Sequence, residues 1–586
     1  MTPVDAARFR APPVWRWLGE RVWRVEHAFE HAKAQRLQQD TTYRIFFVLV
    51  LFATAFATLV AGAVTKALFS DAGQSRGSAA PAVARADLVD RNGRLLAVDL
   101  AHFGAYLDPR HVWDAAEARR ELLAVLPSLS PARLDRALAS GRRTYLIGGL
   151  TPGQRDRVHD LGLPGLSFET EERRIYPVGA AAAHLIGFTD TGGKGLAGAE
   201  RALDKLIRQS GGLGQPVALS IDLRVQGVLD EELARAASEF HTRDAVGLVV
   251  DVHTGEILAM SSNPTFDPNQ AGRSSTDDLI DHAAATVYEP GSVFKMFTLS
   301  MGLNSGVVTQ ASTFDVSHPL VIGRQTIHDF DKGDTRLTFA QVFTHSSNIG
   351  AATIALRAGG PTMDRYLSSF GLYGAAPIGM PESARPLLPR RDSHGALTDN
   401  ALASMAFGQG ISVSPLAVAT GMTALLNGGD YIPLSIRKLT PGERPQGRPV
   451  ISRAVSQTML QLLRQNVLAG SGRQADVPGY SVGGKTGTAQ KAANGHYLAN
   501  VRVSTFAGVF PTDGSLDAPR YVVLVLLDEP HPTAKTSGFA TAGYTAAPTV
   551  GRVVARIAPF LGVTPEPTLD AAAKADAAPI AAGTDE

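Results

Sequence analysis

Hydrophobic and polar positions change texture several times along the chain. Between Arg44 and Lys66 run 21 uncharged residues, "IFFVLVLFATAFATLVAGAVT", about the length at which an α-helix crosses a bilayer. A cleaved signal peptide has a shorter apolar core and a shorter leader than 44 residues, so the run predicts a retained transmembrane helix over 45–66. The spacer "SDAGQSRGSAAPAVARA" that follows is polar and small, a flexible composition. "DLVDRNGRLLAVDL" sets Arg-Asn-Gly between two apolar runs and predicts a hairpin. Residues 114–161 carry apolar positions at helical spacing, as in "EARRELLAVL". From Ser220 on, "LSIDLRVQGVLDEELARAASEF" predicts an amphipathic helix with Asp222 as its N-cap. "AVGLVVDVHTGEILAMSS" predicts two strands turning at His253-Thr254-Gly255, and "VSTFAGVFP" and "RYVVLVLLDEP" predict two more around Asp513-Gly514. Helical segments lie between these strand groups, so the fold class is multidomain α/β of the α+β kind, with an antiparallel sheet flanked by helices. The predicted division is a tail over 1–44, the membrane helix over 45–66, an α+β module over 67–215, a larger domain over 216–562 and an Ala/Pro-rich disordered tail over 563–586.

Charge orients this arrangement. Eight Lys/Arg precede the apolar run, which keeps the N-terminus cytoplasmic and sends the remainder outside. A large outer region without a single cysteine fits the bacterial cytoplasmic membrane with a periplasmic domain, and it excludes disulfides, thiolate metal sites and a cysteine nucleophile. Lys+Arg total 56 against 55 Asp+Glu, so no charge excess points to nucleic acid. The fifteen histidines form no HExxH pair, and neither a metal nor a cofactor is called for.

The candidate chemistry starts at "YEPGSVFK" (288–295), where Ser292 and Lys295 stand three residues apart before an apolar stretch. "SIRK" offers the same spacing at Ser435 and Lys438, but with an adjacent arginine and no apolar helix after it. A serine hydroxyl needs a base. On a helix, residues i and i+3 share a face, so Lys295 can reach Ser292, and burial lowers a lysine's pKa enough for that role. Ser-Ser-Asn also occurs twice: Ser261-Ser262-Asn263 ends a strand, whereas Ser346-Ser347-Asn348 opens a helix. "GYSVGGKT" (479–486) matches a phosphate loop. It lacks an apolar strand before it and is followed at once by Gly487, which favours reading Lys485-Thr486-Gly487-Thr488 as an edge strand instead. Only Ser292, Ser346 and Lys485 occur in the order SxxK, SxN, KTG, separated by 54 residues (346 − 292) and then, from Asn348, by 137 (485 − 348). In this reading Ser346 relays a proton to the leaving amine and Asn348 binds the substrate amide. Lys485 and Thr486 meet a terminal carboxylate. Gly487 lets substrate lie along the strand, and the Thr488 N–H donates to an oxyanion.

On these three motifs the chain resembles the class B penicillin-binding proteins. The smaller module adds "ERRIYPVGAAAAHLIGF" (172–188) and "GLAGAE" (195–200), which are similar to that family's arginine–proline–glycine, Ala-His-x-x-Gly and Gly-x-x-Gly-x-Glu signatures. The resemblance implies an elongated pedestal domain followed by a β-lactamase-like transpeptidase domain, and a serine acyl-enzyme that cross-links peptidoglycan stem peptides ending in D-Ala-D-Ala. It also implies acylation by β-lactams and partnership with a SEDS-family glycan polymerase and other division proteins. "FAGVFP", "RYVVLVLLDEPH" and the 44-residue leader look more like the division type than the elongation type. "FGQG" (407–410) and "SPLA" (414–417) depart from the family pattern, with Phe407 for tyrosine and Ala417 for glutamine. A hydrolase, or a non-catalytic scaffold or β-lactam sensor, is the alternative on the same fold.

Overall fold

A computed structural model describes Arg21, residues 50–54 and 56, and residues 85–330, 333–493 and 496–566. The predicted leader, most of the membrane run and nearly all of the C-terminal tail lie outside this set. Residues 50–54 are helical, and among the described residues no helix is long and apolar enough to cross a membrane.

The first module is built on a long strand, β2 (Leu95–Leu107), which turns back on β1 (Leu88–Val89). The predicted Arg-Asn-Gly turn closes this hairpin, with the Asp90 carboxylate accepting the Asn92 and Arg94 N–H groups. β3 (Thr144–Leu150) and β4 (Leu166–Ile175) both pair antiparallel with β2. Helices α1 (Ala115–Val125), α2 (Pro131–Leu138) and α3 (Pro152–His159) fill the predicted helical region. They bury Leu122, Leu134 and Val158 against Leu107 and Leu146 in a core of their own. β5 (Val217–Ala218) pairs parallel with β1, so the chain returns to the first sheet before entering the second domain.

The sequence signatures of this module meet in one buried ion-pair cluster. Glu200 is fully buried and accepts from Arg174 Nε at 2.7 Å and from Arg85. Arg174 also holds the Ala86 carbonyl at 2.8 Å and Asp99 at 3.1 Å. Around it the module is tied to the next domain: Asn269 accepts the Tyr176 N–H, His184 Nε2 meets the Asp278 carbonyl, and Glu382 accepts the Gly198 N–H.

The second domain is a five-stranded antiparallel sheet. Its members are β6 (Asp244–Asp251), β7 (Ile257–Asn263), β8 (Gly483–Ala493), β9 (His496–Phe510) and β10 (Tyr521–Asp528), in spatial order β8-β9-β10-β6-β7. β6 and β10 read as unbroken apolar runs because helices cover both faces. On one face α4 (Leu223–Phe240), capped by Asp222 as predicted, packs beside a C-terminal helix (Ala546–Ile557), with Leu229, Leu233, Val550 and Val554 against Val249, Val523 and Val525. On the other lies the main core, which joins Leu248, Val250 and Leu524 to the helices around the candidate serine. β8 is an edge strand, with one side of its backbone unpaired by the sheet.

Replacing Glu200 with alanine leaves two buried guanidiniums without their shared carboxylate, an imbalance worth roughly 3–5 kcal/mol. Thermal denaturation of Glu200→Ala is expected to show the pedestal melting well below the parent protein, with a smaller drop for Glu200→Gln. An unchanged melting curve for both would remove the cluster's structural role.

Candidate active site

The predicted serine sits in a 3₁₀ turn, Gly291–Phe294, that runs directly into α5 (Lys295–Asn304). Lys295 is therefore the first residue of the α-helix, and the tight turn still brings its Nζ to 3.1 Å from Ser292 Oγ. The same Nζ is 3.0 Å from Ser346 Oγ, 2.8 Å from Asn348 Oδ1, and bonded to the Ser346 carbonyl. Lys485, from the edge strand β8, places its Nζ 3.0 Å from the same Ser346 Oγ. Five of the predicted residues thus form one continuous cluster: Ser292, Lys295, Ser346, Asn348 and Lys485.

Both amines are out of contact with water, at 0% exposure. Burial pushes Lys295 well below the ordinary lysine range, and the neighbouring Lys485 pushes it further, against a weaker opposing pull from Asp329. Burial alone brings Lys485 down to about 7. Desolvation therefore favours the unprotonated amine of Lys295, the form whose lone pair can accept the Ser292 proton.

Ser346 is held in the left-handed region, φ 58°, which few non-glycine residues occupy. That conformation turns both its carbonyl and its hydroxyl toward Lys295. Ser347 caps the helix α6 (Asn348–Ala358) through the Gly350 N–H. Asp329 completes the cap, accepting from the Asn348 N–H at 2.6 Å, the Ile349 N–H at 2.9 Å and the Ser347 hydroxyl. Sequence reading missed Asp329. It lies in a loop 17 residues before Ser346 (346 − 329), where no local pattern marks it.

Along β8 the side chains alternate. Lys485 and Gly487 face the serine turn, and a Cβ at 487 would come within 2.5 Å of the Pro290 carbonyl, so only glycine fits there. Thr486 and Thr488 face the other way: the Thr486 hydroxyl bonds Ser471, and Thr488 Oγ1 accepts the Ala542 N–H at 3.1 Å. The predicted pairing of the Lys485 cation with the Thr486 hydroxyl thus falls on two sides of one strand. "FGQG" also lies closer to the chemistry than its sequence suggests. The Gly408 carbonyl accepts the Gly291 N–H at 3.1 Å, and its own φ of 78° and contact with Gly291 demand glycine.

The rival motifs fall away. Ser435 Oγ donates to the Arg437 carbonyl, and the exposed Lys438 donates to the Arg91 carbonyl, so they do not meet. Ser262 receives the His282 N–H at the end of β7, remote from this cluster. Residues 483–493 form a strand rather than the helix a phosphate loop requires.

Comparison with known proteins agrees with this geometry. Residues 245–551 match the penicillin-binding protein transpeptidase domain, and residues 81–210 match the penicillin-binding protein dimerisation domain. The probable peptidoglycan D,D-transpeptidase FtsI of Caulobacter vibrioides is 53% identical over 559 residues, 94% of each chain. The peptidoglycan D,D-transpeptidase FtsI of Escherichia coli K12 is 30% identical, over 82% of this chain and 84% of that one. The probable peptidoglycan D,D-transpeptidase PenA of Neisseria gonorrhoeae is 30% identical, over 90% and 95%. With both domains in this order around an ordered SxxK, SxN and KTG cluster, the chain belongs to the FtsI-type class B penicillin-binding proteins.

Proposed function

We propose that this protein is a serine-type peptidoglycan D,D-transpeptidase that cross-links stem peptides in septal wall synthesis. The observation that carries the reading is the unbroken chain of polar contacts from Ser292 through Lys295 and Ser346 to Lys485.

Lys295, in its unprotonated form, takes the Ser292 proton as Oγ attacks the penultimate carbonyl of a D-Ala-D-Ala donor. The backbone N–H groups of Ser292 and Thr488 receive the oxyanion, the first at the start of a helix and the second on the open strand edge. The tetrahedral intermediate expels D-Ala, whose amine takes its proton through the Ser346 hydroxyl, and Ser292 is left acylated. An amine from a second stem peptide then attacks, its proton passes to Lys295, and the new peptide bond forms as the ester C–O bond breaks and Ser292 Oγ takes that proton back from Lys295. Lys485 attracts the donor's terminal carboxylate, which in turn favours its protonated form. β-Lactams enter by the same first step. A catalytically silent scaffold has no use for a dried, prepositioned lysine, and a hydrolase would show fast turnover to the water-derived product.

The membrane run and its basic leader support a single-pass inner-membrane protein with a cytoplasmic N-terminus and a periplasmic catalytic domain. A SEDS-family polymerase and other division proteins belong to the same proposal as partners through the anchor and pedestal. The names of the Caulobacter and Escherichia relatives favour septal over lateral synthesis. Depletion in cells is expected to give filaments, whereas rounded cells would assign the protein to elongation.

Fluorescent-penicillin labelling of the full-length protein tests the nucleophile. Ser292→Ala is expected to abolish labelling and Ser435→Ala to leave it intact, while Lys295→Ala slows acylation by roughly 10²–10⁴-fold. Normal labelling of Lys295→Ala would rule out its role as base.

The pH profile follows from the two amines. The base must be unprotonated, so the second-order acylation constant rises as pH climbs through the depressed value of Lys295. The carboxylate-binding cation must be protonated, so the constant falls as pH passes the Lys485 value of about 7. Lys485→Arg is expected to move the alkaline limb upward whatever its effect on the maximum, because guanidinium stays charged. An alkaline limb that stays put would detach it from Lys485.

A further inference from the structure

A cavity of about 300 Å³ opens between the start of β9, the end of β10 and the loop that leads to the C-terminal helix. Arg502, Glu529, His531, Phe539, Ala540 and Thr541 are among its walls. None of these residues takes part in the acylation cluster.

These walls are tied to the strand that carries Lys485. The Ser504 hydroxyl donates to the Ala540 carbonyl at 2.7 Å, and the Ala542 N–H donates to Thr488 Oγ1 at 3.1 Å. Ser504 is the register partner of Thr488, and Arg502 that of Gln490. Alternate residues of a strand share a face, so Arg502 projects on the Ser504 side of β9, the side this loop covers. The Arg502 carbonyl accepts the Glu529 N–H at 2.9 Å, which fixes the two strand ends together. Its guanidinium is half-buried and, among the described residues, has no hydrogen-bond or ion-pair partner. The acid on the wall is already engaged, because Lys491 Nζ lies 2.7 Å from Glu529 Oε1 and 2.6 Å from Asp528 Oδ2. Beside this unanswered cation stands an aromatic platform. Phe539 and Tyr544 stack at 5.1 Å and 17°, and they are 46% and 40% exposed.

What this cation meets follows from the donor's path, and here the inference rests on the transpeptidase reading. With the terminal carboxylate at Lys485 and the penultimate carbonyl at the Thr488 N–H, the donor runs antiparallel along the open edge of β8. Its preceding residue then falls beside Gln490. Arg502 stands two residues further along than Thr488 and one strand in, about 7 Å by about 5 Å, within reach of a long side chain on that residue. A guanidinium grips a carboxylate through two parallel N–H bonds, and the exposed Phe539 ring covers methylenes. We propose that this cavity is the subsite for an acidic side chain on the donor residue before the penultimate one, its carboxylate held by Arg502. A neutral side chain there leaves the guanidinium unanswered, so the subsite selects among stem peptides.

Acylation of the full-length protein by two penicillins tests the assignment. Both are 6-aminopenicillanic acid acylated with pimelate, one ending in the free carboxylate and the other in the primary amide. Their side chains take the place of the donor's preceding residue. Competition with a fluorescent penicillin at low ionic strength reads each second-order constant. The acid is expected to acylate at least about tenfold faster than the amide, the size of one charge-assisted contact. That ratio is expected to approach one in Arg502→Gln and to be intermediate in Arg502→Lys, which decides the matter if Arg502→Gln does not fold. Changes in fold or in Ser292 reactivity act on both probes and cancel from the ratio. Equal constants in the parent protein, or an undiminished ratio in the variants, overturns the proposal. Lactate-ester peptide donors bearing the same two side chains run in parallel. Penicillin discrimination without turnover of either ester upholds the subsite and counts against transpeptidation, whereas equal turnover of both esters overturns the subsite alone.

Discussion

Two lysine amines removed from water govern the catalytic end of this protein. Lys295 and Lys485 are both fully buried and meet at one hydroxyl, Ser346 Oγ. Among the described residues neither has a carboxylate in hydrogen-bond contact. An isolated ammonium in such a place is strongly disfavoured, and two near one another are worse. Burial shifts both amines toward the uncharged form, which for Lys295 is the form that can act as base beside its nucleophile. The same dehydration that is costly for folding thus creates the reactivity, as is common where function requires a shifted pKa.

Bringing both amines to one hydroxyl requires three separate chain segments to converge, and each shows a local concession. The serine turn is 3₁₀ rather than α-helical, which shortens the reach from Lys295 to Ser292. Ser346 adopts a left-handed backbone, held in place by the Asp329 cap on the helix that follows. The edge strand has no side chain at Gly487, where the serine turn presses against it. Strain of this kind persists only where the surroundings over-determine it, and here helix α5, helix α6 and the sheet all do so.

Much of this could be read before any coordinates. The hairpins at Arg91-Asn92-Gly93 and at His253-Thr254-Gly255, the Asp222 cap and the strand character of β9 and β10 are local matters, decided by turn chemistry and periodicity. The ordered motifs carried Ser292, Lys295, Ser346, Asn348 and Lys485 into one cluster because each motif is short and positionally rigid. What escaped the sequence is what depends on tertiary approach. Asp329 is an ordinary loop acid until the fold sets it over the α6 N-terminus. Gly408 is one glycine among 58 until its carbonyl meets Gly291. The side of β8 on which each threonine falls is set by the strand's alternation, yet whether that side faces substrate depends on Ser471 and Ala542, which no motif announces.

The pedestal is coupled to this chemistry through rigid contacts. The Arg174–Glu200 cluster organises the signatures 172–188 and 195–200 into one block. Three residue pairs, Tyr176 with Asn269, His184 with Asp278 and Gly198 with Glu382, join that block to the transpeptidase domain. Two of those three partners flank the chain that leads from β7 to the serine turn. The first module also reaches the sheet directly, since Arg91 lies 3.6 Å from Glu256 beside β7 and its N–H donates to the Ile221 carbonyl. Because packed interiors are poorly compressible, the segment from Asn269 to Ser292 is one of several rigid links that fix the pedestal against the domain carrying the serine turn.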